Sequence, residues 1–185
     1  MDKTLIVDIK KCLACKSCEI ACALEHSKSK TLEGAIAESP RPQKMVNVEA
    51  AGEFAVPIQC RHCEDAPCIE ICPTGAISRE TNESPVRVDP ELCIGCKLCI
   101  LMCPLGILRI GRQGRVIIKC DMCYERAGEG KPPACVEACP THGLELVSLE
   151  QLTSSRRRKA SGRLAEESRK ERSATKRVAS GKGRP

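Results

Sequence analysis

The chain has 185 residues, enough for one or two small domains, and a formal net charge of +6. It contains one Phe, one Tyr and no Trp, so it lacks the large side chains that usually anchor a core, and apolar burial alone would leave it marginally stable. No uninterrupted apolar run approaches the ~20 residues of a membrane span, which excludes a transmembrane helix.

Short strand-like segments recur along the chain, and each one precedes a group of cysteines. These segments are residues 5–7, 54–56, 86–88 and 116–118. Each group then continues into a short apolar stretch of helical character, as in residues 18–22 and 68–72. Three groups end in Cys-Pro, at Cys72, Cys103 and Cys139, where proline stops a helix and a following glycine permits a tight turn. The groups are therefore interpreted as repeats of one structural unit.

All sixteen cysteines belong to these groups, which we call the four cysteine runs. In chain order the runs are Cys12-x2-Cys15-x2-Cys18-x3-Cys22, Cys60-x2-Cys63-x4-Cys68-x3-Cys72, Cys93-x2-Cys96-x2-Cys99-x3-Cys103 and Cys120-x2-Cys123-x11-Cys135-x3-Cys139. With Pro104, the third run has the C-x2-C-x2-C-x3-C-P spacing typical of bacterial ferredoxins. Sixteen thiolates in groups of four predict four 4Fe–4S clusters, which carry single electrons.

Three other uses of cysteine fit these spacings less well. Disulfides are disfavoured because residues 1–4 begin no apolar signal segment, so we expect a soluble protein in the reducing cytoplasm. Zinc ribbons use two separated cysteine pairs, whereas the first and third runs place three cysteines within seven residues; only the fourth run, taken alone, resembles half of a zinc site. Covalent haem is excluded because no C-x-x-C pair is followed by His.

A linker of 37 residues separates Cys22 from Cys60 and contains the least cluster-like sequence of the first 150 residues. Within it, residues 39–42 (Ser-Pro-Arg-Pro) indicate a loop, and residues 44–49 are predicted to form a strand. Two interpretations of the linker stay open. It either covers the cysteine runs as a flap or offers a partner-docking surface near the first cluster.

Composition changes sharply near Ser154. Residues 151–185 hold 12 Lys and Arg against 3 Asp and Glu, a net charge of +9, while residues 1–150 hold 18 against 21, a net charge of −3. Hydrophobic residues are scarce in this segment, so a disordered basic tail is predicted, with a solvent-exposed helix as the alternative. The charge would suit docking to an acidic partner or peripheral association with an anionic membrane surface, whereas nucleic acid is disfavoured because aromatic stacking residues are lacking.

The order and spacing of the runs resemble the four-cluster, ferredoxin-like electron-transfer subunits of dimethyl sulfoxide reductases, formate dehydrogenases, hydrogenases and carbon monoxide dehydrogenases. The resemblance covers residues 3–148, and the gaps before Cys68 and Cys135 make it specific. It implies an α+β fold of two nested bacterial-ferredoxin-like units, with short strands and helices around four 4Fe–4S clusters. The outer unit is residues 1–52 and 111–150, the inner unit is residues 53–110, and the basic tail is residues 151–185.

The spacing alone does not decide which runs pair, although the last cysteine of a run ligates the other run's cluster in two-cluster ferredoxins. The resemblance implies a nested pairing into four sets of ligands, which we call the first to fourth quartets. In that order the quartets are Cys12, Cys15, Cys18 and Cys139; Cys120, Cys123, Cys135 and Cys22; Cys60, Cys63, Cys68 and Cys103; and Cys93, Cys96, Cys99 and Cys72.

Within this family, three phrases are most similar to the ferredoxin-like subunit of carbon monoxide dehydrogenase. They are residues 15–22, 26–30 and 59–68. The similarity implies an anaerobic, cytoplasmic protein that takes electrons from carbon monoxide dehydrogenase and passes them to a hydrogenase or another acceptor. The alternative is the electron-transfer subunit of a formate dehydrogenase, a hydrogenase or another molybdopterin oxidoreductase.

Basic residues next to the cysteines would raise cluster potentials if they were close, because they stabilise the reduced, more negative cluster; otherwise they are solvated surface charges. These residues are Lys10, Lys11, Lys16, Arg61, His62, Lys97, Lys119 and Arg126. His62 is expected to be a hydrogen-bonded surface residue, with proton coupling as the alternative. No catalytic constellation or phosphate loop is found, so the chain is predicted to be an electron-transfer subunit and not an enzyme.

Overall fold

The protein is described by a computed structural model that covers residues 3–112 and 114–179, and it separates into two units between Leu146 and Val147. The first unit, which we call the body, contains all the cysteines. Its strands are short, and the described strands are β1 (Lys3–Val7), β2 (Asn47–Ala51), β3 (Phe54–Ile58), β4 (Ile77–Ser78), β5 (Arg87–Val88), β6 (Arg109–Ile110), β7 (Ile117–Ile118) and β8 (Leu144–Ser148).

The described helices are also short, apart from the last. They are α1 (Ser17–Glu25), α2 (Leu32–Ala37), α3 (Pro67–Glu70), α4 (Leu98–Met102), α5 (Tyr124–Gly128), α6 (Ala134–Glu137) and α7 (Leu149–Ala179). A 3-10 turn at Ile9–Lys11 leads into the first cysteine run. The predicted strand-like segments therefore all overlap strands, and the predicted helical stretches overlap α1 and α3.

The strands pair in four two-stranded sheets. β2 with β3, β4 with β5, and β6 with β7 form antiparallel hairpins, whereas β1 pairs with β8 from the other end of the body. The β1–β8 pairing encloses the inner segments in sequence, which is the chain order that nested units require. The fold is thus a mixture of small helices and strands, and the nested ferredoxin-like arrangement stays a prediction.

Two hydrophobic clusters form the core, and cysteines belong to both. The larger cluster comes from residues 60–117 and includes Ile77, Val86 and Ile117, each 1–2% exposed. The smaller cluster joins the two ends of the body and includes Cys22, Val46, Cys135 and Leu144. Because few large side chains fill either cluster, much of the buried interior consists of thiol groups, and metal ligation is expected to contribute stability there.

The linker between the first two runs lies over the outer cysteines. Val46 is 2% exposed and packs in the smaller cluster, and the Met45 N–H donates to Cys22 Sγ at 3.2 Å. The β2–β3 hairpin follows at once, and Val48 and Pro57 line a cysteine-lined cavity described below. These contacts favour the covering role among the two interpretations of the linker.

The second unit is dominated by α7, which favours the solvent-exposed helix over the disordered tail among the two interpretations of this segment. Residues 149–179 are helical, and residues 180–185 lie outside the described part of the chain. The helix begins with a capping box, in which Ser148 Oγ accepts the Gln151 N–H at 3.1 Å and Gln151 Oε1 accepts the Ser148 N–H at 2.9 Å. None of the helices described has the length and apolar character needed to cross a membrane.

Candidate metal centres

The first Cys-x-x-Cys loop of each run has the same backbone feature. In each loop the residue before the second cysteine has a positive φ: 56° at Ala14, 48° at His62, 72° at Gly95 and 63° at Met122. A left-handed backbone conformation reverses the local course of the chain. Glycine adopts it most readily, and asparagine and histidine adopt it more readily than most other residues. At Gly95 an added Cβ would also lie 2.6 Å from the Arg115 carbonyl oxygen, so only glycine fits that loop without displacement.

Three cavities in the body are each lined by four cysteines. The cavity of the first quartet is lined by Cys12, Cys15, Cys18 and Cys139. That of the third quartet is lined by Cys60, Cys63, Cys68 and Cys103. That of the fourth quartet is lined by Cys72, Cys93, Cys96 and Cys99. The cysteines around each cavity are the same four that the resemblance groups together.

The second quartet lies where α1 packs against α6, with Cys22 on the first helix and Cys135 on the second. Burial, followed by the charges of Cys22 and Cys123, raises the pKa of Cys135 to about 12. Burial also raises the pKa of Cys120 well above its usual value, with the charges of Cys135 and Cys22 adding to the effect. Buried thiols with raised pKa values ionise when a metal compensates the negative charge, so this quartet suits metal-bound thiolates.

Backbone N–H groups donate to the sulfur atoms in several places. His62 N–H and Met122 N–H donate to Cys60 Sγ and Cys120 Sγ at 3.4 Å, and Gly143 N–H donates to Cys139 Sγ at 3.2 Å. Burial alone would raise the pKa of Cys139, but hydrogen bonds from the Leu144, Thr141 and Gly143 region lower it overall. Such donors stabilise thiolate and set the potential of a cluster bound to it.

The turns after Cys-Pro differ in one respect from the prediction. Gly75 and Gly106 follow the Cys-Pro of the second and third runs with φ of 66° and 59°. In the fourth run the equivalent left-handed residue is His142, with φ of 51°, and not the neighbouring Gly143. Gly143 instead lies close to the backbone at the start of the first run, because its added Cβ would be 3.6 Å from the Cys12 backbone nitrogen.

His62 is buried, so the expectation of a surface histidine is wrong. It is 6% exposed and lines the cavity of the third quartet. Nδ1 accepts the Val86 N–H at 3.0 Å, whereas Nε2 has no partner among the residues that the structure describes. Burial, reinforced by the charge of Lys119, lowers the pKa of His62 to about 3, so the ring is neutral with its proton on Nε2. A buried, unpaired donor beside four cysteines fits a bound group with sulfur acceptors.

The other basic residues named from the sequence divide by burial. The exposed ones are Lys10, Lys11, Lys16, Arg61 and Lys97. Of these, Lys11 pairs with Glu145 at 3.1 Å and Arg61 donates to the Leu5 carbonyl oxygen at 3.3 Å. Lys119 is 4% exposed, so it is not a solvated charge. Arg126 is half-buried and binds Glu25 at 3.0 Å and Glu137 at 2.5 Å, which ties α5 to α1 and α6.

Two acidic side chains near the first and second quartets make structural contacts that the sequence analysis did not identify. Glu19 is 7% exposed; its carboxylate lies 2.5 Å from Lys44 Nζ and accepts the Val48 N–H at 2.7 Å. Asp121 accepts from His26 Nε2 at 3.1 Å, and His26 Nδ1 lies 2.8 Å from the Cys22 carbonyl oxygen. Burial alone would lower the pKa of His26, but Asp121 and Cys22 raise it to about 11. The pair holds α1 against the fourth run.

Only two of the sixteen cysteines, Cys15 and Cys96, are exposed. They belong to the first and fourth quartets, whereas every cysteine of the second and third quartets is buried or half-buried. Two quartets therefore include an exposed cysteine, and the other two do not.

Comparisons with known proteins fit this arrangement. A family model described as a 4Fe-4S dicluster domain matches residues 52–149. The chain is 42% identical over 151 residues to an iron-sulfur protein of Rhodospirillum rubrum, covering 75% of this chain and 78% of the relative. It is 37% identical over 177 residues to the electron transport protein HydN of Escherichia coli (strain K12), covering 86% and 97%. It is 34% identical over 148 residues to the thiosulfate reductase electron transfer subunit PhsB of Salmonella typhi, covering 80% and 76%.

Proposed function

We propose a function for this chain, which belongs to the 4Fe-4S dicluster family of iron–sulfur electron-transfer proteins. It relays single electrons through four 4Fe–4S clusters, one in each quartet. Two observations support the number of four clusters. Three separate cavities are each lined by four cysteines, and the second quartet forms a further set of cysteines. The names of the relatives agree with the prediction of an electron-transfer subunit that is not an enzyme by itself.

The protein's own part is to hold, insulate and tune the bound groups. A 4Fe–4S cluster supplies reversible one-electron chemistry when bound. The cysteines supply thiolate ligands, and the backbone N–H groups of His62, Met122 and Gly143 donate to the sulfurs. Apolar residues such as Ile117 and Leu144, both almost fully buried, exclude water from the interior.

The contacts between quartets support a linear path. The first and second quartets meet on α1, where the charges of Cys18 and Cys135 interact. The second and third quartets are connected by Lys119, whose charge acts on Cys120 of the second and on Cys68 of the third. The third and fourth meet where α3 packs on α4, and the charges of Cys68 and Cys99 interact. Electrons would enter and leave at the first and fourth quartets, where Cys15 and Cys96 are exposed.

The finer proposal concerns the partners. We propose that carbon monoxide dehydrogenase donates the electrons and that a hydrogenase or another acceptor receives them, in an anaerobic cytoplasm. This proposal is supported by the similarity of residues 15–22, 26–30 and 59–68 to the carbon monoxide dehydrogenase subunit. The alternative partner is a formate dehydrogenase, a hydrogenase or another molybdopterin oxidoreductase. Because α7 has a net positive charge, a partner that binds this helix is expected to be acidic.

Two measurements on protein isolated without oxygen test these proposals. Iron and sulfide analysis with a redox titration followed by electron paramagnetic resonance (EPR) should show clusters that reduce reversibly at low potential. Clusters that hold the fold but do not reduce reversibly would contradict electron transfer. Affinity isolation from native cells, with the metals of the co-purified subunits identified, should yield a nickel–iron dehydrogenase; a molybdenum or tungsten subunit would move the partner to the alternative.

A further inference from the structure

A buried lysine lies between two of the quartets without an acidic partner. Lys119 is 4% exposed, and its Nζ donates to the carbonyl oxygens of Val86 at 2.5 Å and of Cys120 at 2.7 Å. Among the side chains described, those of residues 3–112 and 114–172, no ion pair joins it to a carboxylate. Burying an ammonium without a compensating anion is costly, so an anionic group in its vicinity is expected.

The Val86 peptide connects this ammonium to His62. Its carbonyl oxygen accepts from Lys119 Nζ, and its N–H donates to His62 Nδ1 at 3.0 Å. Val86 is 1% exposed, so these hydrogen bonds are shielded from water. Because Nδ1 accepts a hydrogen bond, the ring carries its proton on Nε2, which is buried and has no partner in the described structure. His62 is also one of the residues that line the third-quartet cavity, so a continuous polar bridge runs from Lys119 to a residue of that cavity.

We propose that Lys119, the Val86 peptide and His62 form a tuning bridge that raises the reduction potential of the third-quartet cluster. His62 donates its Nε2–H to a sulfur of that site, and Lys119 adds a fixed positive charge. Reduction adds one electron to the cluster and changes no bond or proton, so each group stabilises the reduced, more negative state. The inference rests on the proposed function and identifies His62 and Lys119 as positioning residues for one site.

A purely structural role for these residues would have a different signature. If Lys119 only satisfied two carbonyl oxygens, its replacement would lower stability and leave the potentials of the remaining clusters unchanged. The same holds for His62 if its only function were to accept the Val86 N–H. The bridge, in contrast, acts on the energy of one electron at one site, and its removal is detected in a midpoint potential.

The test uses EPR-monitored redox titration of the full-length holoprotein. His62→Asn suits the left-handed backbone, and its short amide can still accept the Val86 N–H but does not extend to the position of Nε2. We expect the reduction equilibrium constant of one cluster to fall at least tenfold, about 59 mV for one electron, with iron content unchanged. Ala14→Asn, at the same left-handed position of the first run but exposed, is the matched control and should leave that cluster unshifted.

Lys119 is tested in parallel and does not depend on the histidine variant. Lys119→Met should lower the potential of the same cluster and also that of the second-quartet cluster, because Lys119 Nζ lies against the Cys120 carbonyl oxygen. Lys119→Arg keeps the charge and should leave both potentials near their native values. In the unmodified protein with histidine labelled with 15N in the imidazole ring only, so that the His62 backbone nitrogen bonded to Cys60 Sγ stays unlabelled, pulsed EPR should detect ring-nitrogen coupling to that cluster. Unchanged potentials in His62→Asn, or no histidine coupling in the unmodified protein, would overturn the bridge. If the unmodified clusters fail to reduce reversibly, the electron-transfer function fails first, so the two failures are distinguishable.

Discussion

Replacing Cys22 with Ser separates the nested pairing from pairing within a run. Cys22 lies four residues after Cys18 in α1, yet the two are assigned to different quartets. Its partner Cys135 is more than a hundred residues away in sequence but packs in the same core cluster. We therefore expect Cys22→Ser and Cys135→Ser to remove the same spectroscopic signal and Cys18→Ser to remove another.

The magnitude follows from the number of ligands. Each quartet would account for about a quarter of the iron, so complete loss of one cluster lowers iron and sulfide by about 25%. Serine is a poor replacement because soft thiolates are the preferred ligands of iron–sulfur clusters. Cys22 is 6% exposed, and serine is smaller, so the change leaves no steric clash and the remaining quartets should stay loaded.

The assay is anaerobic iron and sulfide determination combined with EPR spectra of the reduced variants. Cys18→Ser is the matched control, because it sits on the same helix and is equally buried, at 7% exposure. The reasoning is refuted if Cys22→Ser and Cys18→Ser remove the same signal while Cys135→Ser removes a different one. Unchanged iron content and spectra in Cys22→Ser would refute its role as a ligand.

Three further predictions concern stability, measured as the rate of cluster loss in guanidinium, since unfolding of a metalloprotein is seldom reversible. Gly95→Ala should destabilise the protein by about 1–3 kcal/mol, because φ at this position is 72° and the added Cβ would lie 2.6 Å from the Arg115 carbonyl oxygen. An unchanged rate of cluster loss would show that the loop adapts. A double-mutant cycle of Arg126→Met with Glu25→Gln should give a coupling of about 1–3 kcal/mol, as both side chains are under one-fifth exposed, and a value near zero contradicts it. Burial would raise the pKa of Glu19, but Lys44 and a backbone N–H lower it overall, so its stabilisation holds above the ordinary glutamate pKa and is lost as pH falls through the lowered one. Glu19→Gln should accordingly increase the rate of cluster loss at pH 7. In acid, the rates of the variant and the native protein should become more similar, and equal rates at pH 7 would contradict this prediction.

The sequence was most informative where local chemistry decides the structure. The Cys-Pro at Cys72, Cys103 and Cys139 correctly predicted the ends of helical turns, and the spacing of the runs predicted iron–sulfur binding, which the comparisons support. Strand-like segments were also located correctly, because β-branched residues cluster next to each run. The nested assignment of all sixteen ligands came from the resemblance and stays a prediction.

The features that the sequence did not reveal depend on distant contacts. His62 looks like a surface loop residue by its neighbours Arg61 and Glu64, and only its packing against Val86, 24 residues later, buries it. Lys119 was recognised as a neighbour of Cys120, but its burial depends on packing against Val86, whose carbonyl oxygen accepts from Lys119 Nζ. The helix of α7 was ranked below a disordered tail because the segment lacks an apolar stripe, whereas the capping box at Ser148 is a local signal that was available.

The cavity of the first quartet joins Cys12, Cys15 and Cys18 from the beginning of the body to Cys139 near its end. During synthesis at about 5–20 residues per second, roughly 6–24 s pass between the emergence of Cys18 and that of Cys139. The third and fourth quartets are complete once Cys103 has emerged. On the ribosome the inner sites can therefore close first, while the earliest thiols wait uncovered and depend longest on reducing surroundings to avoid oxidation or capture of the wrong metal.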